Sequence, residues 1–270
     1  MRTRPAAFAG MFYSDKPQEL AAAVKAYVAE ATALATALAT TGLAPKSAKA
    51  VVAPHAGYIY SGAIAGTAYA SMAARGDQVE RVILFGPSHR VAFSGVAASG
   101  ASVFETPTGP IAIDRDAVAA LVHDGLAREF ERAHESEHSL EVQLPFVKQI
   151  FPSARVVPLL AGDDNWRAAE KVLAKLWGGD ETAIVISSDM SHYHDYDSAK
   201  KLDAGTAESM QRLAAGDIDH EQACGATGIN ALLALATNKG LSCAALDLRN
   251  SGDTAGSRNR VVGYGAFAVA

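Results

Sequence analysis

Four short apolar runs punctuate the chain, and stretches with helical spacing of apolar residues lie between them. AKAVVAP (48–54), RVILFGP (81–87), ARVVPLLAG (154–162) and TAIVISSD (182–189) read as buried strands, each closed by turn or polar residues. Residues 62–75, 114–123, 138–149 and 165–177 read as helices between or beside them. Strands fully apolar along their length and spaced by helices predict βαβ units and a mostly parallel sheet. The C-terminal part adds helices over 197–214 and 225–238, then strands over 241–248 and 260–269 that could pair at a sheet edge. Residues 15–39 predict an Ala-rich opening helix, with Asp15 as N-cap and Pro17 in the first turn, where proline is tolerated. No fixed-period repeat or Pro/Gly/Ser-rich linker divides the chain, so a single α/β domain over 1–270 is expected. The polar stretch RNSGDTAGSRNR (249–260) is expected to be a loop joining two strands.

Composition agrees with that picture. Hydrophobic residues make up 49% and charged residues 20% of 270 positions, which is globular usage. With 24 Lys+Arg against 29 Asp+Glu the net charge is −5, and no basic block suggests nucleic acid or an anionic membrane as partner. The charge-free Ala/Thr/Leu tract over 31–44 is too short and too Thr-interrupted to span a bilayer, and MRTRPAAFAGMFYSDKP lacks the apolar core of a signal peptide. Two cysteines, Cys224 and Cys243, suit a reducing compartment, so a cytoplasmic protein is expected.

Ligand sites of open parallel sheets lie at the carboxyl ends of the strands. The first strand ends in Pro54-His55-Ala56-Gly57, the second in Gly86-Pro87-Ser88-His89, and the fourth in Ser187-Ser188-Asp189-Met190-Ser191-His192. Three of eight histidines thus follow directly on strand ends, with Asp189 beside the third. Imidazole is a ligand for Zn, Fe, Cu and Ni and a general base near neutral pH, so these residues predict metal binding, proton transfer, or both. Spacing alone assigns neither the roles nor the metal.

Two further groups stand out. In His134-Glu135-Ser136-Glu137-His138-Ser139-Leu140-Glu141, Ser136 could cap a helix whose one face carries His138 and Glu141, a carboxylate–histidine set supporting a ligand. The alternative is a capped helix with an acidic first turn, and His134 is expected at the surface. Cys224 precedes an apolar helix, where a thiol of lowered pKa could be a nucleophile or a soft metal ligand, the alternative being a small buried residue. Cys243 reads as buried. No GxGxxG or GxxxxGK[ST] accompanies these glycines, and His123, His194 and His220 receive no role.

The segments PHAGYIYSG (54–62), ILFGPSH (83–89), ETPTGPIAID (105–114), EHSLEVQLPF (137–146), VISSDMSHY (185–193), CGATGI (224–229) and YGAFAV (264–269) resemble the Memo family, whose bacterial and archaeal members are named AmmeMemoRadiSam system protein B. The resemblance implies the α/β fold of the class III extradiol ring-cleaving dioxygenases. It also implies His55 and His89 as metal ligands, Cys224 as the third in place of a carboxylate, and His192 with Asp189 as the acid/base pair. Ser88, His138 and Glu141 would line or support the pocket. Fe(II) is the implied metal, with Cu or Zn as alternatives, because a thiolate is a softer ligand than a carboxylate. The substrate class is phenolic or catecholic. The implied partners are AMMECR1-type and radical S-adenosylmethionine proteins of one pathway. Competing expectations are a non-catalytic metal- or peptide-binding adaptor and a metal-dependent hydrolase.

Overall fold

The sequence pattern predicts strands without polar positions, and a strand of that kind is stable only with both faces covered. The computed structural model describes residues 2–40, 47–163 and 165–270, the first segment with side chains to residue 32. Along the chain the strands are β1 (Thr3–Arg4), β2 (Ala50–Ala53), β3 (Arg81–Pro87), β4 (Val96–Ala98), β5 (Val103–Phe104), β6 (Ile111–Ala112), β7 (Arg128–Glu129), β8 (Arg155–Ala161), β9 (Thr182–Ser187), β10 (His192–His194), β11 (Cys243–Asn250) and β12 (Val261–Val269). The helices are α1 (Pro17–Thr40), α2 (Tyr58–Ala70), α3 (Arg115–His123), α4 (Glu131–Glu135), α5 (Leu144–Ile150), α6 (Trp166–Leu176), α7 (Tyr196–Gln211) and α8 (Ala226–Asn238).

The four apolar runs become β2, β9, β3 and β8, adjacent and parallel in that order. The pair expected at a sheet edge forms too: β11 and β12 are antiparallel, with Cys243 opposite Val269, and β12 joins β2 antiparallel. The chain steps from β2 over to β3 and β8, then returns to insert β9 between β2 and β3. Crossovers of one hand put their helices on opposite faces when the direction reverses, so α2 and α6 fall on opposite sides of the sheet. Helices α1, α2 and α5 contact one another in one layer, and α3, α6 and α8 make the other. Along β3, Gly86 turns towards Leu140 and Ser139 while Phe85 turns towards Gly228 of α8, so neighbouring residues serve opposite layers. This is an α/β fold with a mixed central sheet flanked by helices.

Sequence reading missed the short strands. β1, β5 and β6 form a three-stranded sheet of their own, and β10 is a bulged strand at the far edge of the main sheet. No described helix is long and apolar enough to cross a membrane.

Candidate metal centre

Parallel strands share one carboxyl edge, and the loops leaving β2, β3 and β9 carry His55, His89 and Asp189 to it. His55 is buried, and its two sides are held differently. Its backbone N–H donates to Asp189 Oδ1 at 2.7 Å, and its ring Nδ1 lies 2.9 Å from Ser187 Oγ. That hydroxyl spends its one proton on the Ser139 carbonyl at 2.6 Å and receives an N–H from the Gln143 amide at 2.9 Å. It can therefore only accept from His55, so Nδ1 carries the hydrogen and Nε2 keeps its lone pair. Burial, with the nearby His89, holds the His55 pKa well below the ordinary histidine value, so the ring is neutral.

His89 is oriented by a carboxylate. Glu137 accepts from the His89 backbone N–H at 2.6 Å, from ring Nδ1 at 2.9 Å and from the Ser139 N–H at 2.8 Å. Burial alone would raise the pKa of Glu137, but these donors outweigh it and hold it at about 2. An ionised carboxylate only accepts, so the hydrogen of His89 is on Nδ1 and Nε2 is the nitrogen left for a metal. A histidine ligand whose far nitrogen donates to a fixed acceptor is the usual arrangement at metal sites.

His138 completes the cluster. One ligand atom from each of His55, His89 and His138 lies within 4.8 Å of the others. The His138 ring stacks on His89 at 4.6 Å between centroids and stands nearly perpendicular to His55 at 5.4 Å. Burial, with the nearby His55, lowers its pKa to about 4. Its Nδ1 is 3.3 Å from Glu137 Oε1 but has no hydrogen-bond partner among the described residues. Phe12 and Phe8, at centroid distances of 4.7 and 5.5 Å, hold the ring instead.

The set expected to share a helix face divides here. Residues 138–140 form a turn rather than a helix, because Ser136 closes α4 and the next helical turn begins at Glu141. Glu141 faces away from His138 into a buried clamp. It accepts from Arg4 Nη1 at 2.7 Å, from Tyr13 Oη at 2.6 Å and from the N–H groups of Phe8 and Ala7 at 2.7 and 3.0 Å. Its service to the centre is indirect: it fastens the N-terminal segment that lays Phe8 and Phe12 on His138. His134, expected at the surface, is instead buried beside Arg4, which donates to its carbonyl at 2.7 Å.

Cys224 enters from the other layer, on the turn before α8. Its Sγ is 3.3 Å from His55 Nε2, so the thiol and His138 both approach the same imidazole. The expected lowering of the thiol pKa is reversed. Burial first, and the Asp189 carboxylate second, push it up, outweighing the hydrogen bonds to the Asp189 carbonyl and the Ser188 hydroxyl. The thiol is therefore neutral without a metal, and a bound cation would favour the thiolate. Gly225 makes the approach possible: a Cβ there would stand 2.6 Å from Ser188 Cβ and 2.7 Å from the Ser187 carbonyl. His89 and Cys224 open onto a cleft of about 310 Å³ that also includes Ser88, Asp163 and His220. Ser88 braces its own turn by donating to the Val91 carbonyl at 2.8 Å.

Asp189 is buried, which raises its pKa, while nearby His192 acts to lower it; His192 also acts on His55. His192 sits half-buried at the start of β10. The structure thus gathers His55, His89 and His138 into one cluster, with the Cys224 thiol against His55 alone and Asp189 and His192 nearby. Sequence reading missed Glu137, Ser187 and Gln143, whose roles depend on partners dozens of residues away.

Comparison with known proteins agrees with the motifs. The profile of the Memo-like protein family matches residues 4–268. A MEMO1 family protein of Methanopyrus kandleri is 33% identical and one of Aquifex aeolicus 32% identical, each alignment covering 98% of both chains. One from Desulfurococcus amylolyticus is 29% identical over 99% of both. Family profile, full-length relatives and the fold agree: the chain belongs to the Memo family.

Proposed function

We propose that the protein is a non-haem metalloenzyme of oxygenase type acting on a phenolic or catecholic small molecule. The observation that carries this reading is the pair of imidazoles, His55 and His89, each with Nδ1 committed to an acceptor and Nε2 turned towards the centre. These residues fit a metal ion: three imidazole nitrogens lie within 4.8 Å of one another, two of the rings are pre-oriented, and the Cys224 thiol stands 3.3 Å from His55 Nε2. His55, His89 and Cys224 would hold Fe(II), or Cu or Zn, with His138 as a further donor. When bound, such an ion supplies Lewis acidity and, for iron, a path for substrate electrons towards dioxygen.

The chain's own groups do the rest. His192 takes the proton of a substrate hydroxyl and later returns it, and the Asp189 carboxylate stabilises the charged ring. Asp189 is fixed for this by the His55 N–H. The cleft beside His89 and Cys224 admits the substrate, while Phe8 and Phe12 exclude water from the His138 side.

A second reading, a metal-dependent hydrolase, is favoured by one observation: the three-imidazole cluster is a donor set that suits Zn and an activated water. Anaerobic purification with metal analysis, followed by oxygen uptake with catechol, separates the two. Iron with catechol-dependent uptake supports the oxygenase. Zinc without uptake favours the hydrolase, and tightly held copper without turnover favours a metal-handling protein. His192→Ala should keep the metal and lose turnover by about 10²–10⁴; loss of metal in this variant would make His192 a ligand.

A further inference from the structure

Tyr193 combines two features that do nothing for the fold. Its φ of 64° puts a bulky side chain in the left-handed region, an outlier for any ring-bearing residue. The other described non-glycine residue with positive φ, Leu213, closes α7: its N–H reaches the Met210 carbonyl and the Ala214 N–H reaches Ser209, each at 3.0 Å. Tyr193 has no helix end to close. It is the residue left over in β10, where the register against β12 slips between His192 opposite Val262 and His194 opposite Val261. The residue is also 64% exposed. Glycine would take this backbone with less strain, and a polar side chain would avoid the exposed ring.

Its position supplies a reason. The chain is fastened on both sides of the bulge. Gly263 donates to the Ser191 carbonyl at 2.8 Å, Ser191 N–H donates to Asp203 Oδ1 at 3.0 Å, and Asp195 caps α7 through the Ser198 N–H at 3.0 Å. A bulge held in this way aims its side chain rather than letting it settle. The Tyr193 ring lies 5.7 Å from the His192 ring, and the Arg260 guanidinium stands 5.1 Å from its centroid. One face is thus occupied by a cation, and the exposure leaves the rest of the ring open beside the proton-transfer residue. Strain and exposure retained together next to a functional group are explained by something the ring meets.

We propose that Tyr193 is the stacking surface for the aromatic ring of a planar phenol or catechol whose hydroxyl meets His192, an inference that rests on the oxygenase reading. The test is calorimetric titration of catechol into Zn(II)-loaded protein, where no oxidation intervenes, together with thermal unfolding. Wild type, Tyr193→Gly and Tyr193→Phe are compared, with His55→Ala defining metal-dependent binding. Tyr193→Gly should melt at or above the wild-type temperature yet bind catechol about two- to tenfold more weakly, the range for one aromatic contact. Tyr193→Phe should match wild type in both. A Tyr193→Gly midpoint lower by more than about 4 °C would give the ring a structural role and overturn the proposal. Catechol binding that needs His55 but ignores Tyr193 would overturn this inference alone. Wild type that binds no catechol would overturn the oxygenase reading and, with it, this ligand class.

Discussion

The two ends of the central strands are built from opposite chemistry. At the amino end, cations lie on or beside the strand starts, and each is closed off by acceptors. Lys49 Nζ donates to the Gly179 and Thr182 carbonyls at 2.5 and 2.7 Å. Arg75 donates to the carbonyls of Ala48, Asp180 and Thr182 at 3.0, 2.7 and 2.9 Å, and Arg81 Nε pairs with Asp114 at 2.7 Å. At the carboxyl end the buried carboxylates of Glu137 and Asp189 take N–H donors, whereas the imidazoles and the Cys224 thiol turn their inner atoms towards one another. Satisfied polar groups rigidify a fold, whereas buried donors with open lone pairs serve it poorly. The difference separates a structural end from a functional one.

The largest effects should come from exchanging the two phenotypes. Arg75→Ala strands several buried carbonyls, each worth about 1–3 kcal/mol when its donor is lost, so unfolding in urea should shift strongly. Metal affinity in the protein that remains folded should be unchanged. His55→Ala should do the reverse, keeping the fold and losing metal affinity by more than the roughly 10–100-fold seen for supporting residues. Chelator competition and urea titration on both variants measure this. A His55 variant that melts early yet holds metal would erase the distinction.

Acid should weaken the buried histidines first. His134 and His138 are depressed to about 3 and about 4, and His55 lies well below the ordinary value. These rings stay neutral in the fold but take up protons once unfolded. Their stabilisation is therefore complete above about pH 6.5 and is lost as pH falls towards their folded values, at up to about 1.4 kcal/mol per pH unit for each. Glu137, depressed to about 2, adds its own loss below about pH 4.5. In metal-free protein, urea midpoints should fall steadily from about pH 6.5 downward, and added Zn should oppose the fall. A flat profile over that range would mean that these rings are solvated.

What the sequence reveals follows the range of the interactions. Four strands with no polar interior position announce their burial locally, and the strand-end rule leads directly to His55 and His89. His138 reads as a supporting residue because the spacing puts it on a helix face with Glu141, whereas its place in the cluster depends on Phe8 and Phe12 reaching back across the chain. Glu141, three residues on, suggests a helical neighbour of His138, but its partner is Arg4 in a short N-terminal strand that no periodicity marks. His134 looks polar among its charged neighbours, yet tertiary packing buries it. At Cys224 the local rule, a helix N-terminus lowering a thiol pKa, loses to desolvation and the Asp189 charge, neither of which is local.

The smallest predicted effect, Glu137→Gln, tests how the functional end is tuned. Glu137 accepts two donors from His89 at once, the backbone N–H on Oε2 and ring Nδ1 on Oε1. An amide offers one oxygen, so one of those donors must now face an NH₂ group. The Ser139 N–H shares Oε1 with the ring, so either orientation sets one backbone N–H against the amide. Where the oxygen stays on the shorter bond, to the His89 N–H, the ring must move its hydrogen to Nε2 and accept on Nδ1. That tautomer removes the lone pair a metal requires, so Glu137→Gln should weaken Zn binding by about 10–100-fold. The fold should survive, because size and most hydrogen bonds are kept. Glu141→Gln is the matched change on the other side of His138. It leaves Arg4 buried without its counter-charge, which typically costs about 3–5 kcal/mol of stability, but it touches no ligand tautomer. Nitrogen-15 shifts of His89 report the tautomer directly. If Glu137→Gln leaves both the shifts and the Zn affinity unchanged, Glu137 belongs with the structural groups, and the division between the two ends of the sheet is less sharp than drawn here.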